Sequence, residues 1–353
     1  MRSYNLDILR IIFALLVVIM HINIDSIFKQ VSIVNNAYVF VDFFFVLSAF
    51  VLYLSYERQY KSDTASILIL KRIKRLYPLH LFILIIFFVF EIFKYYTVEK
   101  LLNYNTNAFN EETSLVSFLA SLFLLDSFRI FSHNIWNAPA WSISAELYSY
   151  IFLVLLSTIK NYIRNIVFIL AFCLIVVFVV NRGSLNYGFD FGILRCLYSY
   201  MIVILFFRLK LKSFINSFTF VLAILAVLAY FIFPEVFYQY EYILPLIFTI
   251  IVFHIYYKFP KFRFNKILLK LADLSFEVYL IQALVIVLFS DIFILLKNKC
   301  SFLYQIESNG LVIFFNSNYA IISTIIEMII VVISATLISK VVLKYNFIKK
   351  LWM

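Results

Sequence analysis

Ten apolar runs, each of about 17 to 25 residues and so long enough to cross a bilayer as a helix, follow one another along the chain. They lie near 6–24, 38–56, 76–98, 135–159, 165–181, 191–207, 214–233, 242–257, 272–296 and 318–339. The stretch from Ser114 to Phe131 is also apolar, but Asp126 and Arg129 interrupt its end, and it reads as an interfacial or re-entrant helix. If it spanned, every later element would invert. Polar and basic residues gather between the runs, and their distribution sets the orientation. With both termini in the cytoplasm, cytoplasmic segments collect 21 Lys and Arg and outer segments seven, among them Lys29, Lys94 and Arg129. That is the positive-inside pattern. The expected fold is all-α: a polytopic membrane bundle of about ten helices forming one domain over residues 1–353.

Composition agrees with this. Of 353 residues 65% are hydrophobic and 14% charged, too apolar for a soluble globule of this length. The net charge of +11 is accounted for by topology and anionic lipid. Its basic residues are scattered over many loops without a recognition module, which excludes nucleic acid as a partner. Arg10 interrupts the apolar core of a would-be signal peptide, and no small-residue cleavage site follows, so the first run reads as an uncleaved span. Cys173 and Cys196 fall within spans and Cys300 in an outer loop, a distribution that offers neither a disulfide framework nor metal-ligand spacing.

Ionisable residues inside apolar runs are costly and mark function by default. Arg10 and His21 are eleven residues apart, almost three helical turns, so they share a face and are separated by roughly 16 Å along the axis. A cation toward one membrane face and a titratable base toward the other could grip the two ends of a long, thin, anionic donor. Histidine is suited to deprotonate an alcohol, or to accept an acyl group itself. At the cytoplasmic side, Arg72 and Arg75 stand i, i+3 in KRIKRLYP, two guanidinium forks suited to phosphate or pyrophosphate. Basic residues at the mouth of a span also serve simply as topology anchors. Toward the outer side, Asp42 and Glu146 are expected to converge with His21 or Arg195, with Ser48, Ser144 and Tyr148 supplying hydroxyls nearby. Charge pairing within the scaffold is the other role open to these carboxylates, and to Glu327 in the last run.

Taken in order, these segments resemble the acyltransferase-3 family of integral-membrane O-acyltransferases. NLDILRIIFALLVVIMH is similar to that family's opening, an Asp and an Arg followed by ten residues and a His. VDFFFVLSAFVL resembles its second-span motif, with Ala49 where a Gly is usual. KRIKRLYPLH matches the Arg-x-x-Arg and Tyr-Pro pattern, WSISAELY the Trp-Ser and Glu segment, and LADLSFEVYLIQ the late motif. The resemblance implies that His21 is catalytic, with Glu146 beside it in that role, and that Arg10, Arg72 and Arg75 serve an acyl-CoA donor, acetyl-CoA first among them. Asp7, Asp42, Ser48, Ser144, Tyr148, Arg195 and Tyr279 are implied as supporting residues. Gln282 stands where many members have a second His, which argues against a two-histidine mechanism here.

The expected reaction moves an acetyl or other acyl group from cytoplasmic acyl-CoA to a hydroxyl of a cell-envelope glycan, in a bacterial cytoplasmic membrane and without a metal. With no esterase-like domain after the last span, the enzyme is expected to act alone, with a partner protein that assists delivery, or on an acceptor that reaches the membrane surface, such as a lipid-linked sugar. The rival reading is a transporter or flippase for lipid-linked glycans, which would carry no covalent chemistry; the chain lacks the duplicated halves and Gly-interrupted helices typical of such proteins.

Overall fold

The computed structural model describes residues 3–55, 64–101, 108–259, 264–297, 299–307 and 310–344. Arg2, Arg58, Lys61, Lys261, Arg263, Lys349 and Lys350 of the basic segments lie outside the described residues. The α-helices of eight residues or more are α1 (Tyr4–His21), α2 (Phe40–Ser55), α3 (Ala65–Phe93), α4 (Leu115–Leu122), α5 (Ala140–Ser157), α6 (Asn161–Arg182), α7 (Gly192–Arg208), α8 (Ser217–Ile232), α9 (Leu244–Tyr257), α10 (Lys266–Asp273), α11 (Ser275–Leu296) and α12 (Ser317–Lys344). A short hairpin, β1 (Tyr304–Ile306) and β2 (Val312–Phe314), joins the last two. Among the described residues, eight helices are long and apolar enough to cross a membrane. The other two expected spans correspond to α7 and α8, of 17 and 16 residues. The protein is an all-α polytopic membrane bundle.

One expected boundary differs instructively. The third span begins at Ala65 and not near residue 76, because nothing in ASILILKRIKRL breaks a helix, and Pro78 sits inside it without ending it. Lys71, Arg72, Lys74 and Arg75 are therefore helical residues and not a loop. The apolar 114–131 stretch forms only α4, eight residues or about 12 Å, too short to span.

Packing divides the chain into two compact units. One contains the described residues of Met1–Phe40 and Pro260–Asn346, the other those of Val41–Phe259.

In the first unit α1 packs on α10, α11 and α12. The chain leaving α1 is held as an edge of the hairpin: Val312 donates its N–H to the Asn23 carbonyl at 2.9 Å and its own carbonyl accepts from Asp25 at 2.9 Å. Burial alternates through this segment, with Ile22 and Ile24 inside and His21, Asn23 and Asp25 exposed. This period-2 alternation is what strand pairing imposes, and it fixes the exit of α1 directly beyond His21.

In the second unit α5 packs against α3 and α7. The irregular turn after α4 is held between these spanning helices. The Ser121 carbonyl accepts from His80 Nε2 (2.9 Å), Leu122 from the Tyr77 hydroxyl (2.9 Å), Phe123 from the Tyr148 hydroxyl (2.9 Å) and Leu124 from the Ser144 hydroxyl. Four successive carbonyls that no helix satisfies thus receive side-chain donors, as non-helical backbone among spanning helices requires. Asp126 closes the turn by accepting from Ser121 Oγ at 2.9 Å.

Trp141, at the start of α5, lies against two glycines. A Cβ on Gly188 would come within 2.6 Å of its indole and one on Gly192 within 2.7 Å. An indole cannot yield as the end of a flexible chain does. Gly188→Ala and Gly192→Ala are each expected to destabilise the protein by about 1–3 kcal/mol through overpacking, read as a lower unfolding temperature in detergent, whereas Gly310→Ala, with no neighbour within 4 Å but a φ of +83°, should act only through its backbone.

Candidate active site

The candidate residues fall into two groups, one in each unit. In the first, α1 is an unbroken α-helix from Tyr4 to His21, so Arg10 and His21 point within about 20° of one another around its axis. Asp7 is buried, and its carboxylate takes the Arg10 guanidinium at 2.8 Å. The Arg10 side chain keeps about a third of its surface exposed, so the pairing orients its fork without enclosing it. His21 is exposed, and its Nδ1 lies 2.8 Å from the Val17 carbonyl. A carbonyl can only accept, so Nδ1 carries the proton and Nε2 is the basic nitrogen of the neutral ring.

Gln282, on α11, reaches toward the His21 imidazole. It is wholly buried, and neither of its amide atoms has a hydrogen bond of regular geometry among the described residues. Tyr279, one turn earlier on α11, is buried too.

In the second unit, the buried Arg195 holds Asp42 through three contacts, Nε to Oδ1 at 3.0 Å, Nε to Oδ2 at 3.2 Å and Nη2 to Oδ2 at 2.7 Å. Its Nη1 donates to the Tyr187 carbonyl at 3.0 Å, and its guanidinium lies 5.4 Å from the Trp141 ring centroid. Asp42 is fully buried and Arg195 1% exposed. Two ions removed from water this completely persist only because nearly every charge-bearing atom has a partner.

One to two turns deeper along these helices lies a second network. Ser48 donates to Glu146, accepts from Arg72 Nη2 at 2.8 Å and contacts the Tyr200 hydroxyl at 3.0 Å; Arg72 also pairs directly with Glu146. A serine hydroxyl has one proton and two lone pairs. With its proton on Glu146, Tyr200 must donate, and the capacity of Ser48 is filled.

This arrangement corrects the sequence expectations in three places. Within the second unit Glu146 joins Arg72 and not Arg195, while Asp42 takes Arg195 as one of its two expected partners. Arg72 and Arg75 are not paired forks at the surface: Arg72 is buried against Glu146 and Arg75 is exposed. The hydroxyls of Ser144 and Tyr148 go to the backbone of the 121–127 turn, where Ser144 Oγ also lies 2.8 Å from Ser127 Oγ. They position the turn.

The sequence profile of the acyltransferase-3 family, described as an acyltransferase domain, matches residues 3–344. This chain belongs to the acyltransferase-3 family. The family is made of membrane O-acyltransferases, so the protein is an enzyme of that class, and its multi-pass architecture agrees with the assignment. No curated protein and no solved structure matches the chain.

Several residues of these networks escaped sequence reasoning. Tyr200 and Tyr187 are two of 25 tyrosines, and nothing local separates a hydroxyl or carbonyl that completes a buried ion network from one facing lipid. His80 was legible in principle, as an imidazole three residues after Tyr77 on one helical face of α3.

Proposed function

We propose that this acyltransferase moves an acetyl group from cytoplasmic acyl-CoA to a hydroxyl of a cell-envelope glycan, with His21 as the general base. One observation carries the reading: an exposed imidazole at the end of a spanning helix, with its Nδ1 proton committed to Val17, which leaves Nε2 as the basic nitrogen. Nε2 takes the proton of the acceptor hydroxyl as the oxygen attacks the thioester carbonyl. The tetrahedral oxyanion then collapses, the C–S bond breaks, and the imidazolium returns the proton to the departing thiolate. Atoms and charge balance without a metal or redox partner. Direct acyl transfer to Nε2 followed by attack of the sugar hydroxyl uses the same nitrogen.

Arg10, on the same face of α1 and oriented by Asp7, is assigned to an anionic group of the substrates that meet at His21. Gln282, whose buried side chain meets the imidazole, orients the ring and is suited to turn an N–H to the oxyanion. Arg72 and Glu146 are assigned to holding α2, α3, α5 and α7 in register, since each already satisfies the other. The proposed setting is a bacterial cytoplasmic membrane, and the proposed acceptor a lipid-linked glycan or one presented with the help of a partner protein.

Mass spectrometry of envelope glycans from cells with and without the gene tests the class of reaction. Loss of one acetyl mass per repeat unit is expected. A repeat of unchanged mass accompanied by lost export would replace acylation with transport.

A further inference from the structure

Within the second unit, a cavity of about 300 Å³ opens among α2, α5, α6 and α7, between the network around Ser48 and the helix ends facing the basic side of the membrane. At its inner end stands Tyr200, whose hydroxyl is bound to Ser48. The walls are apolar and aromatic, formed by Ala49, Leu153 and Ile204 with the rings of Tyr53 and Tyr150. Arg164, near the start of α6, and Arg208, at the end of α7, line the opposite end.

These two arginines, Arg208 exposed and Arg164 partly buried, differ from the two in the second unit's interior. Arg72 and Arg195 are each paired with a carboxylate, whereas neither Arg164 nor Arg208 has a carboxylate partner among the described residues. Arg164 Nε is buried without a hydrogen bond, and the Arg208 guanidinium lies 4.6 Å from the centroid of the Phe168 ring. Two guanidiniums held at one cavity mouth, with their like charges uncompensated, make a binding site for an anion. The apolar bore behind them excludes a free inorganic ion as the complete ligand, because such an ion would leave the aromatic walls unfilled.

We propose that this cavity seats a phosphate-bearing amphiphile, its slender uncharged arm between the aromatic walls and its phosphate or pyrophosphate on Arg164 and Arg208. Two molecules share that chemistry: the acyl-CoA of the proposed reaction, through its pantetheine arm and pyrophosphate, and an anionic phospholipid of the surrounding bilayer. The first of these rests on the donor reading above; the second does not.

The full chain, purified in detergent, is titrated with coenzyme A, and the phosphatidylglycerol it retains is measured by native mass spectrometry. With R164Q/R208Q, coenzyme A affinity is expected to fall at least tenfold, with R164K/R208K recovering only part because a point charge lacks the fork. A tenfold loss of retained phosphatidylglycerol at unchanged coenzyme A affinity also supports the cavity and assigns it to lipid. If both ligands bind the folded double variant as they bind the wild type, the inference is overturned, and acyl transfer by that variant would leave the proposed reaction standing. A wild-type protein that neither binds nor turns over acyl-CoA removes the donor reading instead, and the phosphatidylglycerol measurement then decides the cavity alone. Should the double variant fail to fold, L153C in a background of C173A/C300A gives a second measurement. Maleimide labelling of the cavity wall is expected to slow at least severalfold with coenzyme A or phosphatidylglycerol, and a rate unaffected by either overturns the inference.

Discussion

His21→Ala is expected to abolish acyl transfer while the protein accumulates in the membrane at wild-type levels. Its imidazole is exposed and makes one side-chain hydrogen bond of regular geometry, to the carbonyl one turn back on its own helix. Alanine removes little packed surface, and the one buried group it affects is Gln282, whose side chain meets the imidazole. What it removes is the base, and general base catalysis contributes about 10²–10⁴-fold on its own; if the imidazole also carries the acyl group, the loss is greater. The variant should melt within a few degrees of the wild type in detergent. His21→Gln is the sharper comparison, since its amide can imitate the hydrogen bond to Val17 but offers no basic nitrogen. Glycan acylation at wild-type levels by either well-expressed variant would remove His21 from the mechanism.

Asp42→Ala is expected to have the opposite profile, losing folded protein before any catalytic question arises. It leaves Arg195 buried and charged without a carboxylate, although the Tyr187 carbonyl and the rings of Tyr187 and Trp141 still face it. Removing one partner of a buried pair costs about 3–5 kcal/mol, comparable to much of a protein's net stability. Arg195→Ala should cost a similar amount through the orphaned carboxylate. The double variant Asp42→Leu/Arg195→Met removes both ions, so it should be more stable than either single variant, a non-additivity that a double-mutant cycle measures directly. Single variants that retain wild-type melting temperatures would mean that water reaches the pair.

The spans were legible because a membrane helix needs only length and apolarity, both of which survive without knowledge of neighbours. The face shared by Arg10 and His21 was legible for the same reason, since it follows from one helix and simple rotation. Pairings across helices were not. Asp42 and Arg195 are separated by 153 positions, and sequence alone left Asp42 two partners, His21 and Arg195, with nothing local to choose between them.

Arg72 was misplaced for a more specific reason. Four basic residues within five positions lower local hydropathy enough to hide a helix that continues through them, and Pro78 looks like a start when it lies thirteen residues inside. Moving the start back to Ala65 turns Arg72 into the bundle, where it meets Glu146. The tautomer of His21 had no sequence signature either, because it depends on a backbone carbonyl that every residue possesses.

The side-chain donors gripping carbonyls 121–124 carry a consequence for biosynthesis. Tyr77 and His80 precede that turn in the chain, but Ser144 and Tyr148 follow it by about twenty residues. While the ribosome is still making α5, the turn has only half its donors, and bare carbonyls are held back by water. Its final docking therefore waits for the arrival of α5. The order of events during synthesis would then be insertion of α3, a pause of the 115–127 segment at the aqueous boundary, and its drawing-in as α5 enters.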